Sequence, residues 1–205
     1  MCRYLLFAMV LFLSACATIP QIPIDSRSVD PGSEVMRGNE SYKLLGSPLK
    51  VGDPLPSVML FNQNLQAINL DQLKGEVLLI SVVPSLDTQV CERQTRTLVQ
   101  EADVVPEDVK RITISRDLPF AQNRFYELVP TKGESEVYYL SDYAEANFGR
   151  STGLLIDQIF LLARAVIVVD REGVVRYLQV VPSITHLPDL KKGMEIAAQL
   201  SGESQ

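Results

Sequence analysis

Val77-Leu78-Leu79-Ile80-Ser81-Val82-Val83-Pro84-Ser85-Leu86-Asp87-Thr88-Gln89-Val90-Cys91 carries the strongest structural signal in this chain of 205 residues. Its first seven residues are almost continuously apolar and partly β-branched. A short run of that kind suits a strand buried on both faces. Pro84 ends it, since proline has no N–H to give to a ladder. From about Gln89 to Asp103 the period changes, and Cys91, Thr95, Leu98, Val99 and Ala102 recur at helical spacing. Thr88, or alternatively Asp87, is placed to cap that helix. The stretch reads as buried strand, short loop and helix, with a cysteine in the first helical turn.

Upstream, Tyr42 to Val51 and Ser57 to Leu70 read as short strands, with turns at Gly46-Ser47-Pro48, Gly52-Asp53-Pro54 and Asn62-Gln63-Asn64. Downstream, Arg111 to Ser115 and Val137 to Leu140 read as further strands. Phe120 to Leu128 reads as a short helix behind Pro119, which suits a first-turn position. Arg164 to Asp170 and Val174 to Val181 flank the turn Asp170-Arg171-Glu172-Gly173, a hairpin signal. Leu187 to Leu200 is expected as a closing helix, begun by Pro188-Asp189 and ended by Ser201-Gly202. This alternation indicates an α/β domain with a mixed central sheet flanked by helices.

Composition narrows the function classes. Hydrophobic residues make up 46% and charged residues 21%, ordinary for a globular domain. The formal charge is -6 and no Lys/Arg cluster forms a stripe, which argues against a nucleic-acid partner. Cys2 and Cys16 lie in the N-terminal segment, so the rest of the chain holds one cysteine, Cys91, and one histidine, His186, too few for a structural zinc site with its four ligands. His186 is expected in a surface or capping role. Gly149-Arg150-Ser151-Thr152-Gly153 reads as a loop and lacks the lysine of a phosphate-binding motif. No cofactor is expected.

The N-terminus reads as an address. Arg3, an apolar run from Tyr4 to Leu13 and the box Leu13-Ser14-Ala15-Cys16 have the order of an export signal. The run is too short to span a bilayer, which needs about 20 apolar residues. The box resembles the bacterial lipoprotein cleavage site. That resemblance implies a signal peptide over residues 1–15, with Cys2 lost and Cys16 carrying the lipid that holds the protein to the membrane. Several acyl chains together give stable anchoring. Ala17 in place of an Asp resembles lipoproteins sent to the outer membrane, facing the periplasm. Residues 16–40 are expected to be a lipid-anchored flexible tether, with Pro20, Pro23 and Pro31 among Ser, Asp and Gly. The domain is expected over residues 41–205.

A lone cysteine is more often small buried filling than a nucleophile. The surroundings of Cys91 reverse that expectation. In the first turn, free backbone N–H groups and the positive helix end favour a thiolate. Pro84-Ser85-Leu86-Asp87-Thr88-Gln89-Val90-Cys91 resembles the active-site loop of the peroxiredoxins, in the form of their thiol peroxidase branch. Asp117-Leu118-Pro119-Phe120-Ala121-Gln122-Asn123-Arg124-Phe125 and Ala163-Arg164-Ala165-Val166-Ile167-Val168-Val169-Asp170 are similar to the second and third stretches of that branch, in the same order. The resemblance implies a thioredoxin-like fold and reduction of hydrogen peroxide and organic hydroperoxides. It also implies roles: Cys91 as nucleophile, Thr88 and Arg164 as donors to sulfur and peroxide, and Pro84 as a shield against water. An external thiol reductant and a homodimer are implied with them.

The resemblance fails at one place. Thiol peroxidases usually carry a second, resolving cysteine in the helix after the second stretch, and here that position is Tyr126. A one-Cys enzyme is therefore expected, its sulfenic acid reduced by an external thiol, from a thioredoxin-like protein or a low-molecular-weight thiol, or by a Cys91–Cys91 bond between chains. A different class of function stands beside it: a non-catalytic thioredoxin-like lipoprotein that senses redox state or binds a partner. The missing thiol favours that alternative. Retention of Pro84, Thr88, Cys91 and Arg164 together favours the enzyme.

Overall fold

A computed structural model describes residues 21–101, 104–129 and 137–202. In chain order these form β1 (Ile24–Asp25), β2 (Glu34–Arg37), β3 (Glu40–Leu45), β4 (Met59–Phe61), β5 (Ala67–Asn69), β6 (Val77–Val82) and α1 (Gln89–Gln100). There follow β7 (Val109–Ser115), α2 (Pro119–Leu128), β8 (Val137–Ser141), α3 (Asn147–Thr152), β9 (Leu155–Ile156), β10 (Ala165–Val169), β11 (Val175–Val180), β12 (Leu187–Pro188) and α4 (Leu190–Gly202). The expected signal peptide, Cys2 and Cys16 lie outside the described residues.

The main sheet has strand order β11-β10-β6-β7-β8-β4-β5. Its centre, β6-β7-β8, is parallel, while β10, β11, β4 and β5 join antiparallel. This is the mixed sheet with flanking helices of the thioredoxin-like fold. Every residue of β6 is buried, as the apolar run requires. Successive side chains of a strand point to opposite faces. Leu78, Ile80 and Val82 accordingly enter one apolar core, and Val77 and Leu79 enter the other. β10 divides the same way, with Ala165, Ile167 and Val169 on the first face and Val166 and Val168 on the second. The second core receives Cys91, Leu98 and Val99 from α1, Phe125 from α2, and Leu190, Met194 and Ala197 from α4.

Four expectations are corrected. The tether was expected to run to Glu40, but residues 24–40 are built into the body. β1 pairs in parallel with β12, β2 pairs with β3, and Val35 is fully buried. These strands are too short, and too broken by proline, to show a period. Gly149 to Thr152 is helix rather than loop, with Gly153 in the left-handed conformation as its cap. α1 ends at Gln100 rather than Asp103, which lies outside the described residues. The closing helix begins at Leu190, because Leu187 and Pro188 are taken by β1. Pro119 opens α2 as expected.

Gly193 lets α4 lie close on the sheet. A Cβ there would meet Val166 Cγ1 at 2.6 Å and Leu79 Cδ1 at 3.3 Å. Val166 is β-branched and stiff, so it yields little. Alanine would gain about 1 kcal/mol of helix propensity, whereas overpacking costs roughly 1–3 kcal/mol. Gly193→Ala is expected to lower stability in urea by about 1 kcal/mol, measured as a shift of the unfolding midpoint.

Candidate active site

The site lies where β6 ends and β10 begins. Because the two strands are antiparallel and Ala165 pairs with Val82, Arg164 comes level with the residue that precedes Pro84. Val83 is held by a hydrogen bond from its N–H to the Ile114 carbonyl at 3.0 Å. Pro84 is buried, and the chain then turns through 85–88 into α1. Asp117, at the far side of β7, fixes that turn. One of its carboxylate oxygens accepts the Ser85 hydroxyl and the other the Leu86 N–H, each at 2.7 Å.

Thr88 is the N-cap residue of α1, yet its side chain makes no capping bond. Its hydroxyl is aimed at Cys91 Sγ at 2.9 Å, with the Ser85 carbonyl at 3.1 Å as a second acceptor. One hydroxyl proton serves one acceptor fully, and a thiolate competes better than a carbonyl for it. Cys91 has no exposed surface. Its N–H belongs to the first helical turn, whose donors have no partner four residues back within the helix.

Arg164 is 1% exposed, against the usual position of an arginine. Its Nη2 lies 3.3 Å from Cys91 Sγ. Nη1 donates to Gln94 Oε1 at 2.7 Å, and both Nε (3.1 Å) and Nη2 (2.8 Å) donate to the Ile184 carbonyl. Burial pushes its pKa below the ordinary arginine value, and the charge and hydrogen bond of Cys91 pull it back.

The four residues read from sequence thus fall at one place, with three of them joined by hydrogen bonds through Sγ and Pro84 at the strand end that leads into the loop. Gln94, Ile184 and Asp117 were missed as supports. Gln94 is 1% exposed, and its amide bridges Arg164 to the Ser81 hydroxyl, which accepts from Nε2 at 2.7 Å. Its place three residues after Cys91, on the buried face of α1, is a signal that could have found it. The Ile184 support is a backbone carbonyl and has no side-chain signature. Tyr126 lies half-buried on α2, its ring packed edge-on against Tyr139 at 5.9 Å between centroids. His186 is not free at the surface: its Nδ1 lies 3.4 Å from Asp25 Oδ2.

The redoxin family model matches residues 50–194. The thiol peroxidase of Halalkalibacterium halodurans is 42% identical over 165 residues, which is 80% of this chain and 96% of that protein. The thiol peroxidase of Bacillus subtilis is 41% identical over 157 residues, 77% of this chain and 92% of that protein. The crystal structure of a peroxiredoxin-like protein from Aquifex aeolicus superposes with a TM-score of 0.75 at 33% identity, covering 85% of this chain and 99% of that one.

Two substitutions should separate support from contact. Gln94→Leu removes the acceptor of a buried charged donor, and an unsatisfied buried group costs about 1–3 kcal/mol. A stability loss of about 2 kcal/mol is expected from chemical denaturation. Thr88 is exposed, and Thr88→Val should stay within about 0.5 kcal/mol of the unsubstituted chain.

Proposed function

The chain belongs to the redoxin family and, within it, to the thiol peroxidases, and on that footing we propose that it reduces hydroperoxides at a single peroxidatic cysteine, Cys91. The observation that carries the reading is the pair of donors on one buried sulfur, Thr88 Oγ1 at 2.9 Å and Arg164 Nη2 at 3.3 Å. A binding module or a structural cysteine has no use for a buried cation there, since leaving it unpaired would cost several kcal/mol. That weighs against the alternative of a non-catalytic redox sensor or docking domain.

The reaction follows from the geometry. The Cys91 thiolate attacks the terminal oxygen of the hydroperoxide, the S–O bond forms and the O–O bond breaks. Sulfur is oxidised to a sulfenic acid, and the leaving oxygen takes up a proton to depart as water or an alcohol. Negative charge passes from sulfur to that oxygen, so donors fixed near both stabilise the transition state more than the ground state. Arg164 has the forked donors for this and Thr88 has one more. Pro84, buried at the strand end, limits water at the sulfur. Two equivalents of an external thiol then return Cys91 to the thiol: the first displaces water to give a mixed disulfide, and the second releases the reductant's disulfide.

The one-Cys form of this cycle rests on Tyr126 standing where thiol peroxidases usually carry the resolving thiol. The cellular setting rests on sequence: the box ending at Cys16 supports a lipid anchor on the outer membrane, facing the periplasm. A homodimer belongs to the same reading. The reductant is then a thioredoxin-like protein or a small thiol of that compartment.

One equivalent of hydrogen peroxide, followed by mass spectrometry, should add one oxygen to Cys91 and none to a Cys91→Ser chain. Non-reducing gels should show no intramolecular disulfide, and a Cys16–Cys91 bond would sink the one-Cys cycle. Thr88→Val should slow peroxide reduction by roughly 100-fold, the usual effect of deleting one transition-state donor.

A further inference from the structure

Two of the Arg164 donors end on the Ile184 carbonyl, and Ile184 sits in the loop between β11 and β12. A loop is an imprecise support for a catalytic group unless something holds it from outside. Here the N-terminal segment holds it. The Met36 N–H donates to the Pro182 carbonyl at 2.8 Å, and the Met36 carbonyl accepts the Ile184 N–H at 3.0 Å. Further along, the Leu187 N–H donates to the Pro23 carbonyl at 2.8 Å. Val29 N–H donates to the Val180 carbonyl at 2.9 Å, and Val180 N–H donates to Ser28 Oγ at 3.0 Å.

Gln179, 2% exposed, anchors these contacts. Its Nε2 donates to the Asp25 carbonyl at 2.7 Å and the Arg27 carbonyl at 3.0 Å, while its Oε1 accepts the Asp189 N–H at 2.9 Å. The Asp25 carboxylate binds Arg27 and lies beside His186 of the loop. The Arg27 hydrogen bonds hold its pKa far below the ordinary carboxylate range, against the opposing effect of burial. Burial of apolar surface does not explain β1, because Ile24 is 69% exposed. What β1 supplies is hydrogen bonding and register.

We propose that residues 23–36 are a strap that positions Arg164 for the reaction, with Gln179 as its anchor. The strap fixes the loop after β11, the loop fixes the Ile184 carbonyl, and that carbonyl aims the guanidinium at Cys91 Sγ. The segment lies before residues 50–194, where the redoxin match falls, so it adds to the matched core. The inference rests on the peroxidase reading above. Gln179 is a positioning residue and touches no reacting atom.

Gln179→Glu is the informative substitution. It keeps the acceptor for Asp189 and sets an acceptor against the two strap carbonyls. The second-order rate of Cys91 oxidation by hydrogen peroxide is measured for the full chain with and without Gln179→Glu, and again in an Arg164→Lys background. Misplacement of a catalytic group by a fraction of an ångström to 1 Å predicts a loss of roughly 10-fold with Arg164 present. In the Arg164→Lys background Gln179→Glu should add little, because the group it positions is already changed. Should Gln179→Glu fail to fold, the pair Asp25→Ala with Ser28→Ala loosens the strap itself and should give the same pattern. An equal loss in both backgrounds, or no loss in either, overturns the strap. If the unsubstituted chain reacts no faster than a free thiol, the peroxidase reading falls first and takes the strap with it.

Discussion

The contact between the Arg164 guanidinium and the Cys91 sulfur is the constraint around which the site is organised. A cation with 1% of its surface exposed is tolerable only when its donors are satisfied and its charge is answered. Two carbonyl oxygens, from Gln94 and Ile184, answer the donors. The charge is answered by sulfur when sulfur is anionic. The pair is 73 residues apart in sequence, so the sheet must bring them together.

The sheet does this through pairing rather than through loops. β6 and β10 are neighbours, buried on both faces, with a continuous antiparallel register from Ala165–Val82 to Val169–Leu78. A one-residue slip would turn every side chain to the opposite core, so the register that fixes the hydrophobic layers also fixes Arg164 beside the loop into α1. The less rigid parts, the turn through 85–88 and the loop after β11, are each tied down by a separate polar device. Asp117 holds the first and the N-terminal segment holds the second.

Much of this was legible in the sequence where the signal was local. The run Val77–Val83, the helical recurrence from Cys91, the proline at the start of α2 and the turn after Asp170 all encode their structure within a dozen residues. The motif residues Pro84, Thr88, Cys91 and Arg164 were legible as types at spacings, and they fall at one place. The illegible part consists of long-range polar pairing. Gln179 reaches the Asp25 carbonyl across 154 residues, and strands of two residues such as β1 show no period. The Ile184 carbonyl is a backbone atom, invisible to any reading of side chains. α3 was hidden by Gly149, a poor helix former that is there because a Cβ would meet Leu162 Cδ2 at 2.7 Å.

In the proposed reaction the fold, not the thiol alone, makes Cys91 reactive toward peroxide. Stopped-flow mixing of the reduced chain with hydrogen peroxide, in the folded state and in denaturant, tests it most directly. Folded Cys91 should oxidise faster than the unfolded thiol by several orders of magnitude, despite having no exposed surface. Equal rates, or a slower folded protein, would contradict the account, because burial without activation only protects a thiol.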